Sequence, residues 1–139
     1  MKWILVFLIT TSAWAIDFPL KPDSELSYPH FCTHKDKYFM EVRYEEKVPY
    51  CKRAVSRSMR TVVYNRYNIP KNDRIFYTID HIIPLSLGGS NDISNLWPQH
   101  QTINTSLLEG EVYRKVARGE IKIYEAINMV LKVKYRRVK

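Results

Sequence analysis

The sequence is poor in cysteine and in acidic residues. It has two cysteines, no internal repeat and no low-complexity segment among 139 residues. Against 22 basic residues it has only 14 acidic ones, which gives a net charge of +8. A basic surface of this size favours a polyanionic partner, either nucleic acid or an anionic membrane face, although charge alone does not identify the partner.

The N-terminal apolar run, residues 3–11, is shorter than the roughly 20 residues that a membrane-spanning helix needs. It follows Lys2 and precedes Ala13-Trp14-Ala15, which places small residues where a signal peptidase reads them. We therefore predict a signal peptide over residues 1–15 and an exported protein, periplasmic or extracellular, without stable membrane insertion after cleavage. An uncleaved anchor or a buried strand is the alternative. Residues 16–139 are long enough for one small domain.

Both cysteines, Cys32 and Cys51, lie beyond this segment. An even number of cysteines in an exported protein indicates a disulfide, here one expected to contribute about 3 kcal/mol. The alternative is a metal site that also uses His30 or His34. The spacing between Cys32 and His34 is too tight for the usual zinc-ligand pattern, so the bridge is preferred.

Hydrophobic periodicity and turn residues predict an α+β domain. The expected order is an extended arm over 16–30, a short strand near 38–42, a helix over 50–67, a strand over 74–81, a loop over 84–95, and helices over 102–118 and 123–134. The apolar positions of the first helix are Val55, Met59, Val62 and Val63, and those of the second are Leu107, Leu108, Val112 and Val116.

Arginines and lysines recur on the first helix and at the C-terminus. They are either an ordinary solvated surface or a set of phosphate contacts. The candidates for phosphate binding are Arg53, Arg57 and Arg60, together with Arg136 and Arg137 of the basic tail over 132–139.

Asp80 and His81 are adjacent at the end of the strand predicted over 74–81, so their side chains point to opposite sides. One can face a substrate while the other holds a cation. Gly88-Gly89 permits a sharp reversal, and Asn95 is placed to hydrogen-bond the backbone of that reversal. Asp80 and Asn104 together form a sparse set of oxygen ligands, which suits a hard ion such as Mg²⁺ or Mn²⁺.

These residues resemble the HNH nucleases. The resemblance rests on three stretches: Asp80-His81-Ile82-Ile83-Pro84-Leu85, then Gly88-Gly89 with Asn91, then Asn95-Leu96-Trp97-Pro98-Gln99. It is similar to bacterial and phage members with a DHxxPLxLGG…NLWPQ core and covers residues 74–118. The fold that it implies is a ββα-metal finger with flanking helices in a single small domain.

The resemblance also implies a role for each matching residue. His81 corresponds to the general base and Asp80 to a metal ligand. Asn95 corresponds to the central asparagine, which shapes the loop and orients the histidine, and Asn104 corresponds to a second metal ligand. The zinc-binding cysteine pair of many relatives is absent at His100 and Ile103, and Leu108 replaces a further histidine ligand. These departures favour one Mg²⁺ ion, with Mn²⁺ as the alternative.

We therefore expect an exported, metal-dependent endonuclease that hydrolyses phosphodiester bonds with low sequence specificity and without a small-molecule cofactor. DNA is the expected substrate and RNA the alternative, since the sequence does not distinguish the two. His100, four residues before Asn104, is expected to lie on the surface or to contact phosphate. Two alternatives remain: a non-catalytic basic module that binds nucleic acid, and a secreted toxin or effector with the same chemistry. The sequence does not determine the oligomeric state.

Overall fold

The described part of the computed structural model comprises residues 19–103 and 105–136. The predicted signal peptide, Asn104 and Arg137 lie outside it. Two small antiparallel sheets and three α-helices form a single small α+β domain, as predicted. The elements are β1 (Phe39–Arg43), β2 (Val48–Cys51), α1 (Arg57–Arg66), β3 (Tyr77–His81), β4 (Leu96–His100), α2 (Ser106–Ala117) and α3 (Ile123–Lys134).

The first sheet pairs β1 with β2 and the second pairs β3 with β4. In the second sheet Tyr77 lies opposite His100 and His81 opposite Leu96, without a register shift. The connection between β3 and β4 holds two short 3-10 turns, Leu85–Leu87 and Ile93–Asn95. Helix α2 follows β4, so β3, β4 and α2 form the ββα unit expected of an HNH fold.

Helix α1 is shorter than predicted. It begins at Arg57 rather than at residue 50, because residues 48–51 pair with β1 and the Ser56 side chain caps the helix by accepting the Met59 amide. Stretch 74–81 is likewise only partly a strand, since a 3-10 segment, Lys71–Phe76, occupies its first half. The strand β2 was not predicted.

The buried apolar residues form two clusters. One contains Val63 of α1 with Ile79 and Trp97 of the sheet, and the other packs α2 and α3 against the loop after β3. The prediction that Val62 and Leu107 lie on the buried faces of their helices is wrong, because Val62 is 44% exposed and Leu107 is 84% exposed. Helical periodicity places them near an apolar face, but the neighbouring elements cover only the adjacent positions.

The predicted bounds of α3 are confirmed. Its first turn is held by Glu46 of the β1–β2 hairpin, whose carboxylate accepts a hydrogen bond from the Ile123 amide at 2.8 Å. Its buried face carries Ala126 and Val130, both 0% exposed, and continues to Lys134 at 1%. The helix therefore delivers a lysine to the interior. Within the described ranges no helix is both long and apolar enough to cross a membrane.

Candidate active site

His81 ends β3 and is only 2% exposed. Its Nε2 lies 3.2 Å from Oδ1 of Asn91, and its Nδ1 lies 3.3 Å from a guanidinium nitrogen of Arg53. Arginine can only donate hydrogen bonds. Nδ1 is therefore the unprotonated nitrogen, and Nε2 carries the proton that is donated to Asn91.

The side chain of Asn91 is held in one orientation. Its Oδ1 also accepts the Ala54 amide at 2.9 Å, and its Nδ2 donates to the Lys52 carbonyl at 2.8 Å. Because donor and acceptor ends are both committed, the amide cannot flip without losing two bonds. Asn91 thus determines which nitrogen of His81 bears the proton.

Burial lowers the pKa of His81 to about 4, with the Arg53 charge acting in the same direction against the opposing bond to Asn91. The imidazole is therefore neutral at physiological pH. A neutral imidazole with a free lone pair at Nδ1 is the form that accepts a proton.

Asn95 shapes the loop, but its bonds do not reach the histidine. Its Oδ1 accepts the Ile83 amide at 3.0 Å, while its Nδ2 donates to the carbonyls of Ile83 and Ser90 at 3.1 and 2.9 Å. Orienting His81, which the resemblance assigned to Asn95, falls to Asn91 in this structure. Asn91 belongs to the quoted motif, yet its sequence position alone does not show that it reaches across to the ring.

Arg53 lies beside an open cleft of about 430 Å³. Its second guanidinium nitrogen donates to the Ile79 carbonyl at 2.7 Å, which holds the side chain over His81. The cleft is lined by Tyr38, Arg53, Ala54, Val55, Ser56 and Arg60. Two of the predicted phosphate-binding arginines therefore meet at this cleft, next to the unprotonated nitrogen of His81. Arg57 is exposed on α1 and is not among the residues that line it.

The other predicted contacts do not join the site. His100 lies opposite Tyr77, four pairs along the sheet from His81, a separation of about 13 Å at the usual strand rise. Its Nδ1 is bonded to the Thr102 hydroxyl. Arg136 is exposed just after α3. The basic tail is not uniformly solvated, because Lys134 within it is buried.

The Asp80 carboxylate is paired with Lys134. Lys134 Nζ lies 2.8 Å from Asp80 Oδ2 and 2.9 Å from Glu109 Oε1, and it also donates to the His81 carbonyl. Sequence reasoning missed Lys134 and Glu109. A signal was present: Lys134 follows Ala126 and Val130 at steps of four, which places all three on one helix face.

Two carboxylates and a carbonyl are the oxygen ligands that a hard divalent ion prefers. A lysine ammonium, however, fills the space on which these three oxygens converge. As placed, the oxygens do not fit a divalent ion between them.

Elsewhere, Cys32, Asp36 and Cys51 bring potential metal-ligand atoms within 4.8 Å of one another. Its two sulfurs are joined in a disulfide, with 5.9 Å between the Cα atoms. Since a disulfide offers no thiolate, this group is not a metal site. The predicted bridge is confirmed.

Comparison with known proteins agrees with this geometry. The family model described as HNH endonuclease matches residues 68–104, which contain β3, β4 and the loop between them. The searches of curated proteins and of solved structures found no match. HNH nucleases generally use a divalent metal ion and act on nucleic acid. The segment that carries His81, Asn91 and Asn95 is therefore similar to the HNH endonuclease domain.

Proposed function

We propose that this protein is an endonuclease that hydrolyses phosphodiester bonds with His81 as the general base. The observation that carries the proposal is the unprotonated Nδ1 of a neutral histidine, contacted by Arg53, which lines an open cleft, within a segment that matches HNH endonucleases. General-base catalysis requires a neutral imidazole within reach of the water that it deprotonates.

In the proposed reaction a phosphodiester enters the cleft and binds the Arg53 guanidinium. Arg53 then exchanges its contact with His81 for hydrogen bonds to the phosphate. Arginine binds phosphate through two parallel hydrogen bonds, which are stronger than its single long contact with the ring. His81 Nδ1 then accepts a proton from water, and the hydroxide attacks phosphorus. The bond from phosphorus to the 3′ oxygen breaks, and that oxygen takes a proton from solvent.

The substrate class follows from the same contacts. Phosphate-directed arginines carry no base sequence information, so low sequence specificity is expected. DNA rather than RNA is the proposed substrate, and the assay below compares the two. Export through the N-terminal segment remains part of the proposal and is supported by the disulfide, which persists in oxidising compartments.

The resemblance also implies a metal-dependent form of this function, with Mg²⁺ on Asp80 and Asn104. The contact between Asp80 and Lys134 argues against it. Cleavage assayed with and without EDTA tests the metal-dependent form, since metal dependence predicts that EDTA stops cleavage.

The test is incubation of the purified protein with plasmid DNA and with RNA, each with Mg²⁺ and with EDTA. We expect cleavage in the parent, and a loss of about 10²- to 10⁴-fold in rate for His81→Ala. His100→Ala is the matched control, because His100 lies at the far end of the same sheet, and it is expected to cut at the parental rate.

A His81→Ala protein that cuts as fast as the parent would remove His81 from the reaction. Salt-sensitive binding without cleavage in all four conditions would favour the alternative function, a non-catalytic module that binds nucleic acid through its basic surface.

A further inference from the structure

The end of β3 and the helix α2 enclose a cation position. Asp80 and the His81 carbonyl approach it from the strand, and Glu109 approaches it from the first turn of the helix. The resemblance places its divalent ion between these same two elements, because Asp80 is the penultimate residue of β3 and Asn104 lies two positions before the first residue of α2 in the sequence. In the structure the position holds the ammonium of Lys134.

The ammonium is fully engaged. An ammonium has three N–H donors, and those of Lys134 go to Asp80, Glu109 and the His81 carbonyl. The Lys134 side chain is 0% exposed, while the side chains of Asp80 and Glu109 are 21% and 23% exposed. Lysine is almost never buried to this degree unless it is paired with acidic groups, and two carboxylates fulfil that condition here.

Helix packing, rather than a flexible chain end, brings Lys134 to this position. It lies in the last turn of α3 on the face that also buries Ala126 and Val130. The first turn of the same helix is bonded to Glu46. Moving the ammonium away would therefore expose two carboxylates to each other and leave the His81 carbonyl without this donor.

A divalent ion at this position would compete with Lys134 for Asp80 Oδ2, Glu109 Oε1 and the His81 carbonyl oxygen. Mg²⁺ binds carboxylate oxygens at about 2.0–2.1 Å, whereas Nζ lies 2.8 Å from Asp80 Oδ2. Two cations on one carboxylate at such distances repel each other strongly in a partly buried site. The ammonium and the ion are therefore alternatives.

We propose that Lys134 is the resident cation of this HNH centre and that Asp80 binds no divalent ion in the native protein. Lys134 acts as a positioning residue: it compensates the charge of Asp80 and Glu109 and holds the His81 backbone. The proposal deepens the proposed function, on which it rests only for the identity of the site. Its consequence is that cleavage does not require a divalent ion on Asp80.

The test is titration of the full chain with Mn²⁺ by calorimetry, together with thermal unfolding with and without Mn²⁺. We expect no site that depends on Asp80 in the parent. Lys134→Met removes the charge at similar length and opens the three oxygens, so it should bind one Mn²⁺ and unfold at a higher temperature when the ion is present. Adding Asp80→Asn should abolish that binding. Lys132→Met, an equal change of charge at an exposed position of α3, should behave as the parent.

The parent protein alone can overturn the proposal. Mn²⁺ binding by the parent that Asp80→Asn abolishes would do so whether or not Lys134→Met folds, as would a folded Lys134→Met that binds no Mn²⁺. The titration does not depend on cleavage. A parent that neither binds Mn²⁺ through Asp80 nor cuts nucleic acid would refute the proposed function and support the assignment of Lys134.

Discussion

At the scale of single residues, Arg53 connects the base to the substrate cleft. Its guanidinium covers Nδ1 of His81, and its other nitrogen is anchored on the Ile79 carbonyl. Arg53 contacts the His81 base in the free protein and is proposed to bind phosphate in the complex. Nδ1 of His81 therefore becomes accessible only when substrate is bound. Arg53 is therefore proposed both to bind phosphate and to control access to His81, whereas an arginine elsewhere on the surface contributes only its charge.

We predict that Arg53→Ala lowers kcat/KM by about 10- to 100-fold, since a hydrogen bond to a charged group contributes about 1.5–3 kcal/mol. Arg57→Ala is the matched control. It removes the same charge from an exposed position outside the cleft, and it should change kcat/KM by less than about threefold at moderate salt. Steady-state kinetics on both variants makes the measurement, and equal losses in the two would show that Arg53 contributes only charge.

At the scale of elements, the connection between β3 and β4 holds His81, Asn91 and Asn95 in one compact loop. Gly88 adopts φ +89°, a left-handed conformation that favours glycine. Gly89 is required for a different reason: a Cβ there would lie 1.9 Å from the Ile83 carbonyl oxygen. The same carbonyl accepts a bond from Asn95, so the loop has no room to yield at this point.

Gly89→Ala should therefore lower both stability and cleavage, the free energy of unfolding falling by about 2 kcal/mol or more. Gly110→Ala supplies the control. Gly110 lies within α2, where an added Cβ meets its nearest atom, of the Arg114 side chain, at 3.5 Å, and alanine there should stabilise the protein by about 0.5–1 kcal/mol. Urea unfolding measures both changes. A Gly89→Ala protein as stable as the parent would show that the loop can shift.

At the scale of the whole molecule, the disulfide ties the end of the N-terminal arm to β2. Cys32 follows the arm, and its amide donates to Gly88 at 2.8 Å. Cys51 ends β2, two residues before Arg53 and next to Lys52, whose carbonyl Asn91 bonds. The bridge therefore supports the segment that presents Arg53 and Asn91 to His81.

We predict that replacing both cysteines by serine lowers the free energy of unfolding by about 3 kcal/mol, because the bridge closes a chain segment with a sequence separation of 19. Urea unfolding of the parent with and without reductant should show the same difference. The serine variant, which cannot be reduced, should be insensitive to reductant. If reductant leaves the urea unfolding midpoint of the parent unchanged while mass spectrometry shows free thiols, the bridge has no stabilising role.

The sequence by itself determined the local features of this protein. Helix α3, the α+β class, the Gly-Gly reversal, the cysteine pair and the placing of Asp80-His81 at a strand end all depend on residues close together in the chain, where periodicity and turn chemistry act. The shorter α1 and the unpredicted β2 show the limit of such signals, since pairing with β1 overrode helical periodicity between residues 48 and 51.

Only the tertiary structure decided how the site works. The contacts of His81 with Arg53 and of Asp80 with Lys134 join residues 28 and 54 positions apart. No local pattern reports such distances, because they depend on how α3 and the segment after β2 pack against the β3–β4 unit. In the sequence Lys134 is one charge of a basic tail. Burial between two carboxylates makes it the cation at the centre of the fold.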